Sequence, residues 1–488
     1  MRNEKKRAAA NFFAFRSSLF TFLLTFASMK VTTKHHVPLL GPAVSLMVGI
    51  VLMTFYPVSW AVLPLLAGCV VLTFVLSRWP VAQTFLIMTD FLLMGMATVQ
   101  RQPPPVDPQK SAEVVVFSEP VEKPKTIRVD LLLPETGQRV RRYIWKDEQS
   151  RALQLGHALV LNKIGEGFVS RRDWRPGGDG LQRMGRIDRV RLNFLLWRHQ
   201  LLERFRQSSM EDEAYAVLAA MTLGDKSALT SEIRETYSVT GASHVLALSG
   251  LHLGIIYMLL SRLMLRQRRF WLSQTVIVMC IWAFAFLTGL SPSMVRSSTM
   301  ITIYAVFSVG GRSRSSVNLL AFSALVMLLV DPLSLFDLGF QLSFLAVLSI
   351  LLFVPLIERV WPADYWLMKW LRGMVAVSLA AQLGVAPLIA YYFGRFSTYF
   401  LLTNFIVIPM VTVILYGALI VVLLPSLGIW LAEMVRILNK ALGWIAQMPC
   451  SSIDGLQPSV LQVCLLYAIV LIIYLIISRL TSVVCRSD

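Results

Sequence analysis

At 488 residues, 56% hydrophobic and with a mean hydropathy of +0.63, the chain is too apolar for a soluble protein. Soluble proteins of this size carry about 45–50% apolar residues. Apolar runs of about 18–22 residues recur, enough to cross the hydrocarbon of a bilayer, so the chain reads as a polytopic α-helical membrane protein of about 10–12 spans. The formal charge of +18 admits basic cytosolic loops and tails or contact with a polyanion, nucleic acid or acidic lipid. Cys69, Cys280, Cys450, Cys464 and Cys485 form no CxxC or Cys/His spacing, which argues against a disulfide framework or a zinc site.

The basic, then apolar, start through residue 36 could pass for a signal peptide. Arg16 interrupts it, however, and Met29 is an alternative start, so residues 1–36 are expected to be a cytosolic leader. Three apolar runs follow, near 39–56, 60–77 and 81–98, giving a first membrane segment over 37–98. A basic start places the N-terminus in the cytosol, and three crossings place the next segment outside. That segment opens with the Pro-rich "RQPPPVDPQ" and continues as short strand-like runs. In "TIRVDLLL", Ile127, Val129, Leu131 and Leu133 recur at strand period. Turn signals separate the runs, so 99–187 is expected to be a small extracytoplasmic β-barrel or sandwich. From Arg101 to Arg206 it carries 21 Lys/Arg against 13 Asp/Glu. Arg139, Arg141, Arg142, Tyr143 and Trp145 are candidates for gathering nucleic acid, with Trp174 a further stacking aromatic or a core residue. Residues 188–210 repeat apolar positions at helical spacing with an arginine-rich opposite face. They suit an amphipathic helix lying on the membrane or packed on the barrel.

From 211 to 488 the chain returns to membrane character. Two short helices come first, with Thr230 a cap and Gly241 a stop. Apolar runs then fall near 243–265, 270–290, 293–309, 316–333, 336–357, 373–393, 398–424, 427–448 and 459–478. Loop charges alternate with this parity: "RLMLRQRR" and "GGRSRSS" (Arg312, Arg314) are basic and read as inside, and "DPLSLFD" is acidic and reads as outside. The run 427–448, holding Glu433, Arg436 and Lys440, either crosses or lies flat, and lying flat would flip the C-terminus.

There is no Walker GxxxxGK[ST], and the six histidines form no HExxH or other metal motif. The stretch "GASHVLALSGLHLGIIY" (241–257) is polar for a span. It fails as a serine-hydrolase elbow because Ala247 and Leu251 replace the glycines of GxSxG. His244 and His252 are about 12 Å apart on a continuous helix, too far to share an ion unless the chain breaks at Ser249–Gly250. Broken helices occur where backbone lines an aqueous cavity, and "SGLHLG" suits such a break. Asp225, Lys226, His244, Ser249, Gly250, His252, Gly254, Arg296, Gln341, Ser343, Gln382 and Asn404 therefore mark a candidate polar path. Helix–helix hydrogen bonding and close packing is the plainer reading of each singly.

The stretch "LGDKSALTSEIRETYSVTGASHVLALSGLHLGII" resembles the signature of the ComEC family of DNA-uptake competence proteins. So do "SPSMVRSSTMITIYAVFSVGGRSRS", "DPLSLFDLGFQLSFLAVLSI" and "APLIAYYFGRFSTYFLLTNFIVIPMV", in the same order and spacing. The resemblance covers about 211–450 strongly and 39–200 more loosely. It implies an OB-fold-like outer domain, and a non-enzymatic inner-membrane channel passing single-stranded DNA, with no cofactor. It also implies an extracytoplasmic DNA receptor and a cytosolic motor as partners, beside membrane lipid. Many members carry a metallo-β-lactamase-like domain whose ligands are not found in this sequence, so a separate nuclease degrades the other strand or that step is dispensable. A transporter of another anion or small solute is the alternative, and an intramembrane hydrolase centred on Ser249 the third.

Overall fold

The computed structural model describes residues 38–56, 61–100, 107, 109, 111–164, 167–207, 211–264, 270–309 and 316–487. The expected leader, Arg312, Arg314 and most of the "RLMLRQRR" turn lie outside the described residues.

Three apolar helices open the fold: α1 (Leu40–Phe55), α2 (Val62–Val75) and α3 (Pro80–Gln100). Helices α1 and α3 make backbone contact. A Cβ on Gly49 would lie 1.9 Å from the Leu92 carbonyl oxygen, and one on Gly95 would lie 2.3 Å from that of Leu46. Glycine alone permits this approach, the small-residue mode of membrane-helix packing. On α2, Val71, Phe74 and Val75 stay exposed, while Thr73 gives the Asp90 carboxylate on α3 a hydrogen bond of 2.8 Å.

The outer segment forms β1 (Ala112–Val116), β2 (Val121–Glu122), β3 (Thr126–Leu132), β4 (Arg139–Trp145), a one-turn α4 (Glu148–Arg151), β5 (Ala158–Leu161), β6 (Phe168–Val169) and β7 (Trp174–Pro176). The pairing path is β6-β4-β3-β1-β5-β7, with β2 beside β3. Among the described pairs only β4 and β6 run parallel. The sheet curls into a nearly closed barrel. Ile127, Val129 and Leu131 point inward, as their period predicts, and meet Val114, Val116, Ile144, Leu159 and Leu161. Trp174 is a correction to the stacking reading. It opens β7 opposite Leu161 and is 5% exposed, so its ring fills the barrel and cannot stack on a base.

A second turn, α5 (Gly180–Arg183), leads into α6 (Arg186–Gln207). This helix is a bridge between the barrel and the bundle. Leu192 and Leu195 pack on barrel residues Val115, Phe117 and Leu132, while Leu202 and Phe205 enter the core of the following bundle. Arg191 Nη2 donates to the Gly289 carbonyl, and Arg198 pairs with Asp225 at 3.8 Å.

The bundle comprises α7 (Asp212–Leu223), α8 (Ser231–Val239), α9 (Ser243–Leu246), α10 (Gly250–Met264), α11 (Phe270–Leu287), α12 (Pro292–Val309), α13 (Ser316–Val330), α14 (Leu338–Val360), α15 (Trp366–Phe393), β8 (Arg395–Ser397), α16 (Phe400–Leu423), α17 (Gly428–Ala446), β9 (Ser452–Asp454) and α18 (Val460–Ser487). Thr230 caps α8, its Oγ1 accepting from the Ile233 N–H at 3.2 Å. The run 243–265 is two helices, broken close to the "SGLHLG" stretch where the sequence suggests a break. Among the described residues six helices are long and apolar enough to cross a membrane, and four shorter apolar helices, α1, α2, α10 and α13, accompany them. The protein is a multi-pass membrane protein with a small β domain.

Contacts sort the loops into two ends. One end collects Phe55 against Phe336, Arg191 against Gly289, Arg198 against Asp225, Arg296 against Asp337, Arg395 against Glu235, and the β8–β9 ribbon. At the other end the Leu39 N–H meets Asn318 Oδ1 at 3.0 Å. The first set includes Phe336 and Asp337 of "DPLSLFD", which charge reads as outside, and Asn318 in the second follows "GGRSRSS", which charge reads as inside.

Candidate translocation site

The polar stretch 241–257 is broken. Helix α9 is one turn long, Ala247 turns extended (φ −95°, ψ 122°), and α10 starts at Gly250. The break thus falls at Ala247–Ser249, just ahead of the Ser249–Gly250 position read from the sequence. Ser249 immediately precedes α10. Its N–H and Oγ–H reach His252 Nδ1 at 3.3 and 3.2 Å. His252 occupies the third helical position and takes the part that Glu or Gln plays in a capping box. With Nδ1 accepting, the proton sits on Nε2, which is buried and meets no partner among the described residues. His244 is exposed and serves differently, its Nδ1–H donating to the Gly241 carbonyl at 2.9 Å. Among the described residues no three His, Cys, Asp or Glu gather as metal ligands.

The start of α10 abuts α12. A Cβ on Gly250 would lie 2.9 Å from Ser297 Oγ. The neighbouring Ser298 is fully buried and its Oγ finds no partner among the described residues. Arg296 is 6% exposed. It gives Nη1 to Asp337 Oδ2 at 3.1 Å and lays Nη2 over Gly339, and its Nε is unmet. Asp337 also caps α14 through the Phe340 N–H. Gln341, fully buried, donates Nε2 to the Leu335 carbonyl at 3.2 Å and leaves Oε1 unmet. So α10, α12 and α14, joined at Gly250–Ser297 and Arg296–Asp337, carry six buried side chains with unmet polar atoms among the described residues: His252, Ser261, Arg296, Ser298, Gln341 and Ser349. Such groups in a native interior ask for hydration or a ligand. Gly254, one turn into α10, has nothing within 4 Å of where a Cβ would sit.

The other candidates fall elsewhere. Asp225 follows Gly224, whose φ of 75° ends α7, and accepts from the N–H and Oγ of Ser227. Lys226 is exposed and its carbonyl takes Arg234. Asn404 on α16 donates to Ser378 on α15 at 3.2 Å. Ser343 and Gln382 are half-buried on α14 and α15. No described hydrogen bond joins these to the α10–α12–α14 set. Ser297, Ser298 and Asp337 were missed because a Ser pair and a helix-capping Asp look ordinary in sequence.

On the barrel the arginines are already engaged. Arg141 pairs with its cross-strand neighbour Asp130 at 2.7 Å, and this bond holds its guanidinium above the usual range. Arg139 pairs with Asp188, and burial outweighs that partner and lowers its pKa. Arg142, also lowered by burial, donates to the carbonyls of Ile164 and Arg141. The aromatics are more available. Tyr143 and Trp145 flank Phe168, with ring centroids 5.5 and 6.2 Å away. Phe168 is 64% exposed and Trp145 42%. Lys123 Nζ lies 5.0 Å from the Tyr143 ring, and Arg128 is the Tyr143 cross-strand neighbour. Phe168 escaped the sequence reading because the parallel β4–β6 pairing that brings it there has no local signature.

A multi-pass helical bundle with a broken polar helix, coupled to a small β-barrel, is the class these features define. The sequence profile described as "Competence protein" matches residues 221–480, more than half of the chain. The chain belongs to that family. It is similar to ComE operon protein 3 of Bacillus subtilis, 27% identical over 299 residues, 59% of this chain and 37% of that one. An uncharacterized protein of Aquifex aeolicus is 29% identical over 241 residues, 46% of this chain and 55% of its own. YcaI of Escherichia coli, also uncharacterized, is 25% identical over 211 residues, 41% of this chain and 28% of its own. The chain thus spans between about a quarter and just over half of the relatives it matches. No solved structure matches.

Proposed function

We propose that the chain is a channel of the bacterial inner membrane that passes single-stranded DNA into the cytoplasm during natural transformation. Membership of the competence family supports a part in DNA uptake. The observation that carries the channel reading is the broken helix beside buried, unmet polar groups of His252, Arg296, Ser298 and Gln341. A lipid-facing helix bundle has no use for such groups, whereas a wetted path does.

In this reading 99–187 is an OB-fold-like receiving domain. Its connectivity supports that: a β3–β4 hairpin beside β1, β5 back on β1, a turn of helix between β4 and β5, and β6 parallel to β4. The face of Tyr143, Trp145 and Phe168 offers stacking planes to bases, with Lys123 and Arg128 beside them. Residues 188–210 couple this domain to the channel region, 211–488. The chain itself supplies passage without bond chemistry. An extracytoplasmic DNA receptor and a cytosolic motor are the partners this reading calls for, with a separate nuclease needed only if the other strand must be degraded by another chain.

The test is an in-frame deletion in a transformable host, scored for surface DNA binding and for nuclease-resistant uptake. Binding should persist and uptake should vanish. Complementation with His252→Leu or Arg296→Met should fail, and with His252→Gln it should succeed. Normal transformation of the deletion strain overturns the reading.

A further inference from the structure

Between α6 and α11 lies an open groove of about 410 Å³, lined by Phe194, Trp197, Leu201, Phe284 and Leu287, with Gln200 and Arg204 on its rim. We propose that it is a binding site for one anionic phospholipid, its acyl chain in the groove and its phosphate at Arg204. The inference does not rest on DNA passage.

Depth and chemistry both identify the occupant. Helix α11 is of membrane-crossing length and hydropathy, and its last turn supplies Phe284 and Leu287. The groove therefore sits where the hydrocarbon meets the headgroups at the barrel end of the bundle. Helix α6 crosses that level while pinned at both sides by Arg191 on the Gly289 carbonyl and Arg198 on Asp225. Its groove-facing residues recur at 194, 197, 201 and 204, one helical stripe that runs from aromatic to cationic. Trp197 is 54% exposed, edge-on to Phe194 at 5.0 Å, as an indole at a membrane interface is placed. Phe194 in turn packs on Phe286 at 5.5 Å. An apolar trough closed by rigid aromatics and ending in a guanidinium complements a chain with an anionic head. Among the groove-lining residues Arg204 is the one cation, where a DNA strand needs a run of them, and a water-soluble peptide would have to enter the headgroup layer.

The test uses the whole protein in nanodiscs of equal phosphatidylglycerol and phosphatidylethanolamine, released into native mass spectrometry. The wild type should retain one phosphatidylglycerol. Ala283→Trp, which fills the groove from α11, should retain none. Arg204→Gln should still retain a lipid but lose its preference for phosphatidylglycerol by about tenfold. Arg204→Gln replaces an exposed rim residue, so its result stands if Ala283→Trp fails to fold. Unchanged retention in the variants, loss of preference in neither, or a dimer in place of the lipid that Ala283→Trp dissolves overturns the proposal.

Discussion

Ser249 and His252 lie within hydrogen-bonding distance, and a hydroxyl 3.2 Å from an imidazole is the geometry a hydrolase would also show. Here helical spacing produces it, since His252 follows Ser249 by three residues and its Nδ1 also accepts the Ser249 N–H. The two roles separate experimentally. Ser249→Ala removes one hydrogen bond to His252, costs about 1 kcal/mol, and should leave DNA uptake within a few-fold of wild type. Ser249→Asn, whose amide N–H can donate to Nδ1 in place of the hydroxyl, should restore the thermal midpoint. A hydrolase would lose all activity in both variants, read as transformation frequency on complementation. On the barrel, Trp145→Ala and Phe168→Ala should each weaken single-stranded DNA binding by about 1–3 kcal/mol, the worth of one base stack. The salt slope should not move. Lys123→Gln should instead lower that slope by about one unit or less. Fluorescence anisotropy at three salt concentrations checks both, and equal affinity in the aromatic variants would remove the barrel face from the DNA path.

At the scale of elements, glycines decide which helices can touch. Gly49 and Gly95 let α1 and α3 meet at their backbones, and added methyls would strike carbonyl oxygens that cannot yield locally. Gly49→Ala and Gly95→Ala should each destabilise the fold by about 1–3 kcal/mol, the usual cost of overpacking. Gly254→Ala, with open space around it, should be neutral or stabilise by about 0.5–1 kcal/mol through helix propensity. Melting curves in one detergent rank the three, and an equal drop for Gly254→Ala would contradict the packing account. The strands and most helices were legible in the sequence, because period and run length are local. The inward set Ile127, Val129 and Leu131 follows from alternation alone. The place of Trp174 inside the barrel was not legible, since it depends on β7 pairing with β5. The bridging role of α6 was hidden for a like reason. Its stripe is amphipathic whether the apolar side meets lipid, barrel or bundle, and only the fold splits it between Leu192 on one partner and Leu202 on the other.

For the molecule as a whole, the candidate site was legible as a list of polar residues in apolar runs but not as an arrangement. Side chains from α10, α12 and α14 meet through long-range packing, while Asn404 and Gln382, equally polar in sequence, lie apart. Topology was open at one point, the run 427–448 with its three charges, and the β8–β9 ribbon bears directly on it. Residues 395–397 and 452–454 are hydrogen-bonded neighbours, so the start of α16 and the end of α17 share one end of the bundle. Arg395 ties the same end to α8 through Glu235 and to Asp454. Helix α16 leaves that end over 24 residues, roughly 36 Å at 1.5 Å per residue, and α17 packs against it on the way back. A flat α17 would strand residue 452 opposite residue 397 and break the ribbon. Two of the three charges of α17 are compatible with the return, because Arg436 is paired with Glu433 and Glu211, and the polar Asn439 accepts from Tyr237 at 2.8 Å. Alkaline phosphatase fused after Gly455 should therefore be active, and the same reporter fused after Ser426 should be inactive. Equal activity at the two sites would mean that α17 does not cross. The parity of α18 would then reverse, and with it the side on which Arg479 lies.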